Sequence, residues 1–162
     1  MDDLNWIKGC LRAFKFVNDR RNNAHDFVIR PFSDSQELTS SIDLWCNTKD
    51  TSIQDSSPLL NPIEDIAVAL HGWLFVFIGF ENDRSEPDPD RLIDNKNYFS
   101  MSHAEDRMRI CTELATAICN VTQIQSGRSL IIRSDESYLS FGRHFLIEGG
   151  EARWWIWFGG YF

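Results

Sequence analysis

The stretch from Arg153 to Phe158 is the part of this chain with the fewest folding solutions. It places three tryptophans, Trp154, Trp155 and Trp157, in the five residues from Trp154 to Phe158. A β-strand sends successive side chains to opposite faces. Trp155 and Trp157 then share a side with Arg153, while Trp154, Ile156 and Phe158 take the other. One set forms core. The other needs a cover, which the fold, a partner surface, a second copy of the chain or a ligand can supply. The expectation is full burial within the fold, with a homodimer or a ligand pocket as the alternatives.

The surrounding pattern is a strand meander. Leu130 to Arg133 reads as one strand, followed by a polar turn over Ser134 to Ser137. Tyr138 to Ile147 reads as the next, and Glu148-Gly149-Gly150-Glu151 is a two-glycine hairpin signal leading into Arg153 to Phe158. Gly159-Gly160 reads as a bend.

Two helices are clear. Leu4, Ile7, Leu11, Phe14 and Val17 recur at steps of three and four, with Asp2 or Asp3 as cap and Lys8, Arg12 and Lys15 on another face. Ser102-His103-Ala104-Glu105 is a capping box. It opens a second stripe of Met108, Cys111, Leu114, Ala115, Ile118 and Val121, with Gly127 just beyond the end. Phe27 to Ile29 reads as a short strand stopped by Pro31, and Leu38 to Cys46 as a half-buried strand. Residues 47–62 read as a long polar loop and 81–97 as a second. Asn61-Pro62-Ile63-Glu64 resembles a helix start, yet Ile66 to Leu70 and Trp73 to Phe80 also fit two strands joined at His71-Gly72. The reading leans to strands, with Trp73 to Phe80 central in the sheet.

These elements predict one α+β domain over residues 1–162. It has an antiparallel sheet of about five to seven strands, a C-terminal meander, and two main helices on one face. A chain of this size can bury a core without disulfides or metal. The four cysteines, Cys10, Cys46, Cys111 and Cys119, are scattered in apolar stretches and form no CxxC pair, so small buried hydrophobes are expected. The first ten residues carry no secretory signal. No apolar run reaches the roughly 18–20 residues that span a bilayer. A cytoplasmic protein is the expectation.

Charge is the functional clue. The chain carries a net −8. Residues 31–95 hold 3 basic and 13 acidic side chains, so this middle segment accounts for all of the negative excess. Such a field attracts basic partners and repels nucleic acid and anionic membranes. The densest cluster is Glu81, Asp83, Glu86, Asp88, Asp90 and Asp94, with Asp43, Asp50 and Asp55 as support and Trp45 as an aromatic anchor.

Motifs for chemistry do not assemble. The acidic loop lacks the central glycine and closing glutamate of a calcium loop. Pro89-Asp90 and Asp94-Asn95-Lys96 are too close in sequence for a nuclease core. His103-Ala104-Glu105 lacks the cysteine half of a zinc deaminase. No phosphate loop, dinucleotide fingerprint or nucleophile elbow occurs. No metal or cofactor is therefore expected.

The reading that follows is a non-enzymatic acidic protein that neutralises a basic protein partner. Its most concrete form is a bacterial immunity protein or antitoxin that occludes a nuclease-type toxin. One alternative is a small α+β enzyme or ligand-binding domain with a pocket near His144, Arg143, Arg133 and the C-terminal tryptophans. Another is a DNA-mimic inhibitor.

Overall fold

A computed structural model describes residues 3–18, 24–34, 36–38, 40–41, 52–74, 104–133, 141–150 and 152–161. Helix α1 spans Asp3–Asn18, strand β1 Ala24–Phe32, β2 Ser52–Pro58, helix α2 Pro62–Leu74, helix α3 Ala104–Thr122, and strands β3 Ile124–Arg133, β4 Phe141–Gly149 and β5 Ala152–Tyr161. The five strands form one antiparallel sheet in the order β1-β5-β4-β3-β2. This is the expected α+β fold, with the C-terminal meander at its centre.

Strand β5 lies between β1 and β4, and both of its faces are closed. Ile156 and Phe158 are fully buried in a core shared with the helices. Trp155 and Trp157 are buried on the opposite face with Phe32, Leu38, Leu130 and Leu146. Burying each such side chain stabilises by roughly 1.5–3 kcal/mol relative to leaving it in water. Phe158 also meets Phe27 and Phe145 edge-on, with ring centroids 6.2 and 6.3 Å away. Trp154 is only half-buried against the helix-side core.

Helices α1, α2 and α3 cover one face. Ile7 and Leu11 from α1, Ile66 and Leu70 from α2, and Cys111, Leu114, Ala115 and Ile118 from α3 meet Ile29, Phe145, Ile147 and Ile156 of the sheet. The two helices read from their stripes are present, and α2 is the addition. Ile66 to Leu70 is therefore helix and not strand, His71-Gly72 lies inside the helix, and Trp73 and Leu74 end it. The buried positions of α2 (Ile66, Ala67, Ala69, Leu70, Trp73 and Leu74) follow helical spacing. A continuous apolar run fits either element, and here the cap decides. Asn61 Nδ2 donates to Glu64 at 2.8 Å, the Asn61 amide donates to Asp65 at 3.3 Å, and the Asp65 amide donates back to the Asn61 carbonyl at 2.9 Å. The rest of the Trp73 to Phe80 reading lies outside the described residues.

Other boundaries also move. Pro31 does not stop β1, which runs on to Phe32. β1 is an outermost strand, and an edge strand tolerates a missing amide donor. Residues 36–38 and 40–41 are helical, which overturns the start of the Leu38 to Cys46 strand; residues 42–46 lie outside the description. The cause is local capping. Asp34 accepts from the Glu37 amide at 2.8 Å, and Glu37 accepts from the Ser33 amide and hydroxyl at 2.7 and 2.6 Å. Within the supposed 47–62 loop, residues 52–58 form β2, antiparallel to β3. Its polar sequence, Ser-Ile-Gln-Asp-Ser-Ser-Pro, shows no apolar alternation because it is an outermost strand.

At the C-terminal side, α3 ends at Thr122 with Gln123 in the left-handed region (φ 49°), so Gly127 is not its stop but a residue of β3. Gly150 (φ 57°) turns the β4–β5 hairpin as the two-glycine signal indicated. Gly159 and Gly160 are not a bend. They continue β5, paired with Asp26 and His25 of β1.

Candidate functional site

The structure divides the sequence-derived candidates sharply. Glu81, Asp83, Glu86, Asp88, Asp90, Asp94, Asp43, Asp50 and Trp45 lie outside the described residues. Asp55 is placed by its backbone alone, in β2 opposite Leu130.

The described part of the acidic segment includes β2 and α2, and a cleft of about 590 Å³ opens where they meet the sheet. Its construction is local. The Leu59 amide donates to the Gly127 carbonyl at 2.8 Å, fixing the chain as it leaves β2. Gly127 makes room for this: a β-carbon there would come within 2.7 Å of the Leu59 side chain. Leu60 projects outward, 90% exposed, and Asn61 caps α2. The first turn of α2 then carries Glu64 and Asp65 to one wall of the cleft, above Val68, Ala69, Gly72 and Trp73. Ser57, Ser129, Arg143 and Phe145 form the facing side on β2, β3 and β4.

The floor is polar. The Ser57 and Ser129 hydroxyls lie 3.0 Å apart, and the Ser129 hydroxyl also approaches the Ser57 carbonyl at 3.5 Å. Around the mouth, Leu60, Ile63 and Val68 are exposed. Carboxylates beside solvent-facing aliphatic groups make a surface that can hold a cationic side chain by its charge and by its methylene stem.

His144 and Arg143 do not share one site. These residues are neighbours in β4 and point to opposite faces. Arg143 lines the cleft on the helix side with Phe145. His144 is buried on the tryptophan face, accepting at Nδ1 from Trp155 Nε1 at 3.3 Å and lying parallel to that ring with centroids 6.1 Å apart. Burial pushes its pKa down to about 3, so it is a neutral core residue. The Arg133 side chain lies outside the description. Of the other histidines, His71 is half-buried in α2. Its pKa is lowered by burial and by the nearby Arg107 charge.

Cys111 and Cys119 are buried hydrophobes, Cys10 is half-buried, and Cys46 lies outside the described residues. Cys10, Cys111 and Cys119 are free. Burial raises all three pKa values, that of Cys111 to about 12, which removes thiolate character at neutral pH. Among the described residues, no group of three His, Cys, Asp or Glu side chains is placed to hold a metal ion. No described helix is long and apolar enough to cross a membrane. On α1, Lys15 is ion-paired with Asp26 at 3.3 Å, which reduces the basic face read from the sequence.

Glu64 entered the sequence reading only as part of a helix start, and Asp65 did not enter it. The signal was present: acidic residues in a first turn, inside the one segment with a negative excess. Ser57 and Ser129 carried none, because their role arises from the pairing of β2 with β3. Compared with known proteins, the chain matches no family model, no curated protein and no solved structure.

Proposed function

We propose that this chain is a non-enzymatic binding protein that docks a basic protein partner through its acidic middle segment. The most concrete version is a bacterial immunity protein or antitoxin that covers the cationic active site of a nuclease-type toxin. The observation that carries the reading is the concentration of charge: 13 acidic against 3 basic residues within 31–95. The described part of that segment supports it by placing Glu64 and Asp65 beside exposed Leu60, Ile63 and Val68.

Docking of this kind requires complementarity and no catalytic group. Opposed potentials raise the encounter rate and fix register, and apolar contacts inside the ring of charge slow dissociation. Asp83, Asp88 and Asp90 supply the densest charge, and Glu64 and Asp65 extend the surface along α2.

The test is affinity capture from the native host at low and high salt. The wild-type chain is compared with the Asp83→Lys/Asp88→Lys/Asp90→Lys variant. The expected result is a strongly basic protein retained by the wild type, released by salt and lost with the variant. Retention of the same proteins by both chains at both salt concentrations would sink the reading.

A further inference from the structure

The cleft beside α2 holds charges of both signs that do not meet. Glu64 and Asp65 stand on one wall and Arg143 on the other. The described ion pairs join Lys15 to Asp26, Arg30 to Glu37, Arg109 to Asp106 and Arg153 to Glu148. Arg143 takes part in none of them. Opposite charges that share a cleft and stabilise only the fold would close on each other. Here their separation is set by elements anchored elsewhere: Arg143 by a strand whose next residues, His144 to Ile147, are all buried, and the carboxylates by a helix locked at Ile66 and Leu70.

The carboxylates retain acceptor capacity. Glu64 accepts from the Asn61 side chain through one oxygen, and Asp65 accepts from the Asn61 amide through one oxygen. Arg143 presents a planar fork of five donors suited to a carboxylate. The Ser57 and Ser129 hydroxyls lie on the floor nearby, with Trp73 and Phe145 as apolar surface. A space of about 590 Å³ falls in the range of small-molecule sites.

We infer that this cleft binds a zwitterion of the basic amino-acid type: a carboxylate held by Arg143 and the serine hydroxyls, and a guanidinium or ammonium held by Glu64 and Asp65, joined by an aliphatic stem. Both ends of such a ligand gain a charge partner, and the stem lies on apolar wall. The same chemistry is offered by free arginine or lysine and by a peptide whose last residue is basic. The inference shares Glu64 and Asp65 with the proposed docking surface but does not depend on Asp83, Asp88 and Asp90.

The test is an NMR titration following the backbone amides of Ser57, Ser129 and Arg143. The probes are L-arginine, agmatine, which lacks the carboxylate, and the dipeptide Ala-Arg as free acid and as C-terminal amide. The expected result is saturable shifts with arginine or the free-acid dipeptide, with agmatine and the amide weaker by about threefold or more. Arg143→Gln should remove that difference, and Glu64→Gln/Asp65→Asn should weaken every probe. Tighter binding of the free acid dipeptide than of arginine identifies a peptide end as the source; the reverse identifies the free amino acid. Equal binding of agmatine and arginine, an unchanged arginine affinity in Arg143→Gln, or no shift at these amides would overturn the inference. The Asp83→Lys/Asp88→Lys/Asp90→Lys variant should titrate with arginine as the wild type does. Loss of the protein partner and loss of the zwitterion site are therefore separate results.

Discussion

The two ends of the sheet are built to different rules. At the β1–β5–β4 end both faces are closed: Ile29, Ile156 and Phe158 lie under the helices, and Trp155 and Trp157 are buried on the other side. At the β3–β2 end the helix-side face is more open among the described residues. Ile131 is 43% exposed, and the helix-side floor carries Ser57 and Ser129 beside Arg143. The first end supplies stability. The second holds polar and charged groups that stability does not need, and such places can be adapted for recognition at little cost to folding.

The sharpest way to break this contrast is to cut into the closed end. Trp157 is fully buried. Trp157→Ala should cost about 3–5 kcal/mol of unfolding free energy, measured by denaturant titration. A loss under about 1 kcal/mol would mean that the tryptophan face is not a packed core.

A second difference is pH. Among the described residues, the helix-covered face at the closed end contains no buried ionisable side chain other than thiols, whereas the tryptophan face encloses His144. Its folded-state pKa is depressed from 6.5 to about 3. For a base, this means that the stabilising neutral form is fully available above the unfolded pKa near 6.5. Stability is then lost as pH falls from about 6.5 towards 3. Between pH 7 and 5 the loss from this one group should be about 2 kcal/mol, and His144→Gln should flatten that part of the curve. Equal slopes for the two chains would show that His144 is solvated and that this face is open.

The smallest effects belong to the cleft. Arg143→Gln and Ser129→Ala should each change unfolding free energy by less than about 0.5 kcal/mol, because exposed groups outside the core contribute little. A cost above about 1.5 kcal/mol for either would make the cleft part of the scaffold.

The closed end was largely legible in the sequence. The stripes of α1 and α3 have clean helical spacing, and Gly149-Gly150 announced the hairpin that pairs β4 with β5. Legibility failed where local chemistry is ambiguous or distant. Ile66 to Leu70 is apolar on every side and carries no period of its own; the cap at Asn61 is the one local signal for helix. β2 is polar because it lies at the border of the sheet, so alternation could not reveal it. Pro31 read as a stop because strand position, not sequence, determines whether a proline is tolerated. The acidic field was evident from composition. The placement of Glu64 and Asp65 in one cleft with Arg143 was not, since only the fold brings α2 and β4 to the same cleft.

The central claim is that the negative field of residues 31–95 steers a basic partner onto this chain. The direct measurement is the association rate constant for the basic protein captured from the host, followed across ionic strength by stopped-flow fluorescence. The comparison is between the wild type and chains carrying Glu64→Lys/Asp65→Lys or Asp83→Lys/Asp88→Lys/Asp90→Lys. The account predicts a wild-type rate that falls about tenfold or more from low to physiological salt, and variants that are slower and nearly salt-independent. A rate equal in all three chains and insensitive to salt would contradict it.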